Sequence, residues 1–310
     1  MVNFSANDVK DLRERTGAGM MDCKRALTAA EGDVEKAIDL LREKGLAAAA
    51  KKAGRIAAEG LVGMAFSEDG TQAAMVEVNS ETDFVAKNPE FVDFVAAVAK
   101  AALGTCSDEL DALLAAPCED ATVGEVLTAK IAKIGENMSV RRFVRMAGEG
   151  KVYASYTHGN GKIGVLVEME TAATAAEVAE MGRDVAMQIA SMSPLFVSEA
   201  DVDPEYLEKE THIQMQLALN ENAELEKPKP EEIVKKMVEG RMKKILKETC
   251  LLDQAFVKDG DLSVAQYVEN CAKALGKDVK VTAFARYQVG EGIEKKQSNL
   301  AEEVAAMNAK

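Results

Sequence analysis

Part of this chain is written twice. Residues 59–67 align with residues 149–157, and after a one-residue adjustment in the turn Met75-Val76-Glu77-Val78 aligns with Leu166-Val167-Glu168-Met169. Each copy reads as strand, Gly-containing turn, strand, the pattern of a β-hairpin. Each hairpin is followed by a helical stretch, residues 90–103 in the first copy and about 175–191 in the second. The copies also end alike. Residues 122–135 match residues 263–276, a helix stopped by Gly135 or Gly276, and Val140, Phe143 and Arg145 then match Val281, Phe284 and Arg286 in a closing strand. The offset between the copies grows from about 91 at the start to 141 at the end, so the second copy holds an insertion of about 50 residues. The expected fold is therefore α+β, a duplicated core of small antiparallel sheets with helices appended.

The insertion falls at about 198–248. A polar helix from about Pro204 to Asn220, with Tyr206, Ile213 and Leu217 as a narrow apolar stripe, is followed by Glu226-Lys227-Pro228-Lys229-Pro230. A second helix begins at Glu231, with Ile233, Val234, Met237, Val238, Met242 and Ile245 on one face. Two such helices joined by a Pro-containing turn read as a helical hairpin.

Ahead of the core, residues 1–45 read as three short helices. Ser5 and Asp8 resemble a capping box, Gly17-Ala18-Gly19 breaks the first helix, Gly32 ends the second, and Asp33 caps a third that Gly45 stops. Residues 46–58, rich in Ala and Lys with Gly54 inside, read as a partly helical linker. A short helix with Leu300, Val304 and Met307 on one face closes the chain, capped by Asn299 with Glu302. The expected division is 1–55, a three-helix module and linker; 56–147, the first core copy; 148–290, the second with its insertion; and 291–310, a C-terminal helical module.

Composition narrows the function. With 310 residues, 47% of them hydrophobic, the chain has length for more than one core. No apolar window reaches the length of a membrane span, and the N-terminus lacks a secretion signal. Absence of a transit segment points to the bacterial cytoplasm. A net charge of −14, with basic runs such as Arg241-Met242-Lys243-Lys244 diluted among carboxylates, disfavours a nucleic-acid backbone as ligand and favours a protein partner. The five scattered cysteines (Cys23, Cys106, Cys118, Cys250, Cys271) form no Cys-x-x-Cys pair and are expected to be reduced, buried thiols.

Catalytic types do not converge. His158 lies in the turn Thr157-His158-Gly159-Asn160-Gly161, exposed at a hairpin tip, and His212 in the polar helix, in water; neither has zinc-site spacing. A nucleophile elbow and a phosphate-binding loop are both missing. Asp83 and Lys87 stand at i and i+4, ordinary helix-surface stabilisation rather than an acid–base pair. Phe84 arrives at a strand-to-helix corner, and spacing alone favours its burial beside Phe91 and Phe94. Met20 and Met21 are adjacent, so at least one is expected to face solvent.

Two longer motifs carry a family resemblance. Leu12-Arg13-Glu14-Arg15-Thr16-Gly17-Ala18-Gly19-Met20-Met21-Asp22-Cys23-Lys24 and Asn79-Ser80-Glu81-Thr82-Asp83-Phe84-Val85-Ala86-Lys87-Asn88 resemble the two signatures of the elongation factor Ts family. Tyr156-Thr157-His158-Gly159, Val238-Glu239-Gly240-Arg241-Met242-Lys243-Lys244 and Val289-Gly290-Glu291-Gly292-Ile293-Glu294-Lys295 extend the match over the chain in order.

The resemblance implies an N-terminal ubiquitin-associated-like module, a duplicated core, an inserted hairpin and a C-terminal helix. It also implies a guanine-nucleotide exchange factor that releases GDP from elongation factor Tu in translation elongation, not an enzyme. Thr82, Asp83, Phe84 and Val85 would then disturb the partner's Mg²⁺ and phosphate site, with Phe84 as a wedge. Arg13, Met20 and Met21 would hold the partner's nucleotide domain, His158 would meet a more distant domain, and the terminal helix would return to the nucleotide domain. The Mg²⁺ belongs to the partner, so no cofactor is expected here. A homodimer or higher complex stays open. The rival reading is a non-enzymatic scaffold or dimerisation protein using the three-helix module.

Overall fold

The computed structural model describes residues 4–294; the expected helix at 299–310 lies outside them. The chain opens with helices α1 (Ala6–Thr16), α2 (Met20–Ala29) and α3 (Val34–Lys52). Ser5 and Asp8 make the capping box in front of α1, and Asp33 accepts the Lys36 N–H at the start of α3. Val9, Leu12, Cys23, Ala26, Leu27 and Ala37 close a small core of their own.

One expectation fails in α3: Gly45 does not stop the helix, which runs into the partly helical linker as far as Lys52. The reason is packing: Gly45 is buried where α3 crosses a later helix, and a Cβ there would make ordinary contacts, 3.5 Å from Thr128 and 3.8 Å from Ala132. Intrinsic helix preference at one glycine, worth about 1 kcal/mol, loses to packing of the whole crossing.

Next come β1 (Glu59–Phe66), β2 (Gln72–Ser80), α4 (Asp83–Ala86), α5 (Pro89–Leu103), α6 (Leu110–Ala115), the ribbon β3 (Pro117–Cys118) and β4 (Ala121–Thr122), α7 (Val123–Ile134) and β5 (Met138–Ala147). They are followed by β6 (Lys151–His158), β7 (Ile163–Thr171), α8 (Ala179–Met192), α9 (Pro204–Ala223) and α10 (Glu231–Thr249). The ribbon β8 (Ala255–Phe256) and β9 (Asp259–Ser263), then α11 (Val264–Leu275) and β10 (Val279–Gln288), complete the described chain.

The strands form two three-stranded antiparallel sheets, ordered β1-β2-β5 and β10-β7-β6, so the fold is α+β. In each sheet the second strand of a hairpin is central and buried on both faces. From β2, Ala74, Val76 and Val78 point to α5, where they meet Phe91, Phe94 and Val98. From β7, Val165, Val167 and Met169 meet Val185 and Ile189 of α8. The alternate residues, Ala73 and Met75 against Tyr153 and Leu166, pack sheet against sheet, joined by Val144 and Tyr287.

That sheet–sheet face also holds a carboxylate in each central strand. Glu77 is fully buried. Its partner strand has a bulge at Arg141, since Glu77 opposes Arg142 while Val78 opposes Val140, and the bulge aims both arginines at one carboxylate. The distances are 3.0 Å from Arg141 and 2.6 Å from Arg142. The second sheet bulges at Thr282 opposite Glu168, whose carboxylate accepts from Thr282 at 2.7 Å and from Lys151 at 2.8 Å.

The long insertion folds back on itself as α9 and α10. Ala218, Val234, Val238 and Met242 are buried between the two helices, with Met215 and Ile245 beside them. The stripe expected on α9 was phased wrongly, because Ile213 and Leu217 are exposed and Ala218 takes the buried line. At the tip the Asn222 side chain spans the turn, accepting the Lys229 N–H at 2.7 Å and donating to its carbonyl at 3.0 Å. At the base, Leu195 donates to Thr249 and Leu251 to Phe196, so the two ends of the insertion run side by side. The cysteines are only partly as expected: Cys23, Cys118 and Cys250 are buried, Cys271 is half-buried and Cys106 is exposed.

Candidate partner interface

The corner between β2 and α5 is built from two short caps. Thr82 stands in extended conformation and its hydroxyl accepts the Val85 N–H at 3.4 Å, starting the single turn α4. Asn88 then accepts the Glu90 N–H at 2.9 Å and Pro89 takes the first position of α5, where its missing N–H costs nothing. In a turn this short only one side faces the core. Val85 and Ala86 are buried, so Phe84, about 100° away around the turn, points outward.

Phe84 is 82% exposed. The burial that spacing favours does not occur: Phe91 and Phe94 fill the core under β2, and Val85 occupies the place a tucked Phe84 would need. An aromatic ring held in water forgoes about 2 kcal/mol of burial free energy, and the caps at Thr82 and Asn88 on either side of the turn hold it there. Beside it Lys87 pairs with Asp83 at 2.6 Å, and that bond holds the Asp83 carboxyl below the usual carboxylate range.

A second layer supports the corner. The Thr82 N–H and hydroxyl both donate to the Glu136 carboxylate, at 3.0 and 2.7 Å. Glu81 accepts the Asn137 N–H and lies 3.4 Å from Arg55, while the Asn137 amide donates to the Arg55 carbonyl at 2.7 Å. None of these partners was read from the sequence. Glu136 is 54 residues from Thr82, and only the helix stop at Gly135 marked its neighbourhood.

The other candidate residues form two further groups. Met20 and Met21 open α2, and both face solvent, 43% and 62% exposed, because its buried line is Cys23, Ala26 and Leu27. Arg13 is exposed on α1, one turn ahead of the left-handed Gly17. His158 ends β6, exposed, with its Nδ1 3.1 Å from the Tyr156 hydroxyl. Its turn lies on the same edge as the Phe84 corner: Lys162 reaches Glu59 at 2.6 Å, Glu59 pairs with Ser80 across β1 and β2, and the Lys162 charge helps hold the Asp83 carboxyl down. His212, on α9, is exposed as expected. Among the described residues there is no group of three His, Cys, Asp or Glu side chains placed to hold a metal ion, and no helix is long and apolar enough to cross a membrane.

Comparison with known proteins bears on this surface as a whole. Residues 81–291 match the family model described as Elongation factor TS. The chain is 56% identical over 306 residues to the elongation factor Ts of Clostridioides difficile strain 630, covering 98% of this chain and 99% of that protein. It is 56% identical over 308 residues to that of Clostridium perfringens strain 13, covering 99% and 100%, and 51% identical over 304 residues to that of Clostridium tetani, covering 97% and 98%. The family match begins at Glu81, beside the exposed ring, and the relatives align almost from end to end: the chain belongs to the elongation factor Ts family.

Proposed function

We propose that this protein is a guanine-nucleotide exchange factor: it binds elongation factor Tu, in its GDP-bound and nucleotide-free forms, and promotes GDP release during translation elongation. Membership of the family supports the activity, and the exposure of Phe84 on a braced corner carries the assignment of the working edge. Residues Thr82, Asp83, Phe84 and Val85 disturb the partner's Mg²⁺ and phosphate site, Phe84 entering as a wedge. Arg13, Met20 and Met21 hold the partner through the N-terminal helices, and His158 meets it further along the same edge. The scaffold reading gives no role to a solvent-exposed ring that the fold holds in place.

The physics is linkage. A protein that binds the nucleotide-free partner more tightly than the GDP form weakens GDP by the same free energy, with no bond made or broken in either chain. The ring stabilises an open partner conformation, and the differential affinity for the two states sets how far release is accelerated. On this reading the protein is not an enzyme and has no cofactor, and it works in the cytoplasm without direct contact to nucleic acid.

The division at about residues 55, 147 and 290 belongs to the same reading. The three-helix module is ubiquitin-associated-like, and the core is a duplicated unit. Support for duplication comes from the paired bulges at Arg141 and Thr282 opposite Glu77 and Glu168, which occupy matching positions of the sequence repeat. The test of function is stopped-flow release of fluorescent GDP from elongation factor Tu. Acceleration over spontaneous release is expected, and a rate unchanged by this chain would sink the proposal.

A further inference from the structure

We infer that Glu136 is a positioning residue for exchange: it caps the turn that carries Phe84 from another part of the chain, in place of a local capping carboxylate. The inference rests on the exchange reading given above.

A helix start that opens with Ser or Thr commonly closes its own cap. The hydroxyl accepts an N–H three residues on, and a carboxylate at that third position accepts the N–H of the capping residue. In the second copy the turn just ahead of α8 is closed in this way. Thr174 N–H and hydroxyl donate to Glu177 at 2.7 and 2.9 Å, the Glu177 N–H donates back at 3.4 Å, and Lys277 neutralises that carboxylate at 2.8 Å. The same local box stands at Ser5 with Asp8, Thr122 with Glu125 and Ser263 with Gln266.

At Thr82 the third position is Val85, which is buried and has no acceptor to offer. The N–H and hydroxyl of Thr82 find their carboxylate on Glu136 instead, 3.0 and 2.7 Å away. In the repeat register Gly135 matches Gly276, so Glu136 occupies the position of Lys277. The cap carboxylate is thus local in the second copy, while in the first it comes from the position that matches Lys277. With the carboxylate supplied across the fold, the third position is free to be apolar. Val85 anchors the turn from below and Asp83 and Phe84 project from above. The left-handed Gly135 ends α7 at the point where Glu136 must turn back. Neighbouring Asn137 ties the same loop to Glu81 and to the Arg55 carbonyl, so the brace cannot swing away.

Charge-assisted bonds to a carboxylate are stronger than neutral ones, and both here end on the residue that starts the turn. Their loss frees the orientation of α4 without removing any group that touches the partner. A positioned contact that acts in the open state changes the maximal rate of release more than the affinity of the encounter.

The experiment measures fluorescent-GDP release from elongation factor Tu against the concentration of the full chain, giving a maximal rate and a half-saturating concentration. For E136A the maximal rate is expected to fall by about tenfold, with the half-saturating concentration moving by less than about threefold. E136Q keeps one acceptor oxygen and is expected to fall between. In an F84A background E136A is expected to add less than about twofold, because it acts through the ring it positions. Thermal melts set the folded fraction, and if E136A does not fold E136Q carries the comparison. Maximal rates equal to wild type in both Glu136 variants, or an equal loss with and without Phe84, overturn the inference while a wild-type chain that accelerates release leaves the exchange reading standing. A wild-type chain that gives no acceleration overturns both.

Discussion

Phe84 and Phe91 stand seven residues apart at one strand-to-helix corner, yet Phe84 is 82% exposed and Phe91 1%. Substitution should separate the two rings sharply. Phe91→Ala empties part of the core under β2 and is expected to cost about 3–5 kcal/mol in chemical unfolding. Phe84→Ala is expected to change stability by no more than about 0.5 kcal/mol, as surface substitutions do, and to slow GDP release from elongation factor Tu by tenfold or so. A Phe84→Ala chain that unfolds readily but exchanges normally per folded molecule would return Phe84 to the core.

The N-terminal contact is tested by affinity rather than rate. Met20 and Met21 lie outside the buried line of α2, so replacing both with Ser leaves Cys23, Ala26 and Leu27 in place. Calorimetric titration against elongation factor Tu is expected to show binding weakened by about 1–2 kcal/mol, with the melting curve unmoved. Unaltered affinity would remove these methionines from the interface.

Much of this was open to reading because it is local or periodic. The capping box at Ser5, the glycine stops at Gly135 and Gly276, and the hairpins of the repeat each depend on residues near one another in the chain. Glu77 and Glu168 fall at matching positions of the repeat, but nothing in the sequence marked them as the carboxylates that face the bulges. What escaped is tertiary. Nothing near Gly45 announces that α7 will cross there, and nothing near Thr82 announces Glu136. The exposure of Phe84 escaped for a related reason: hydrophobicity argues for burial, but a one-turn helix has room on its inner side for Val85 and Ala86 only.

Gly45 offers a test with two signs. It is buried in the middle of a helix, and its missing Cβ would lie 3.5 Å from Thr128, an ordinary contact. Gly45→Ala is therefore expected to stabilise the protein by about 0.5–1 kcal/mol through helix preference. Gly45→Leu overfills the α3–α7 crossing and is expected to destabilise by about 1–3 kcal/mol. Equal effects of the two substitutions in thermal unfolding would mean that the crossing is not close-packed.

Glu77 predicts how the fold responds to acid. Burial alone would raise its pKa, but the Gly290 N–H, Arg142, Arg141 and Asn79 all donate to the carboxylate and bring it below the ordinary 4.5. Gly290 belongs to the segment after β10, so this one carboxylate ties that segment to the first sheet, and a Cβ at Gly290 would collide with the Ala58 carbonyl. A carboxyl whose folded pKa is depressed contributes stability that is full above its unfolded value. That contribution is lost as pH falls from about 4.5 through the lower folded value. Glu77→Gln keeps the shape and removes the charge, leaving Arg141 and Arg142 facing a neutral amide. It is expected to cost about 3 kcal/mol at neutral pH, with a smaller cost as the medium is acidified. Urea melts of both proteins between neutral and acid pH would show the two stability curves converging below about pH 4.5, at up to about 1.4 kcal/mol per pH unit for the one proton involved. Parallel curves across that range would show that the charge on Glu77 adds nothing to the stability of the fold.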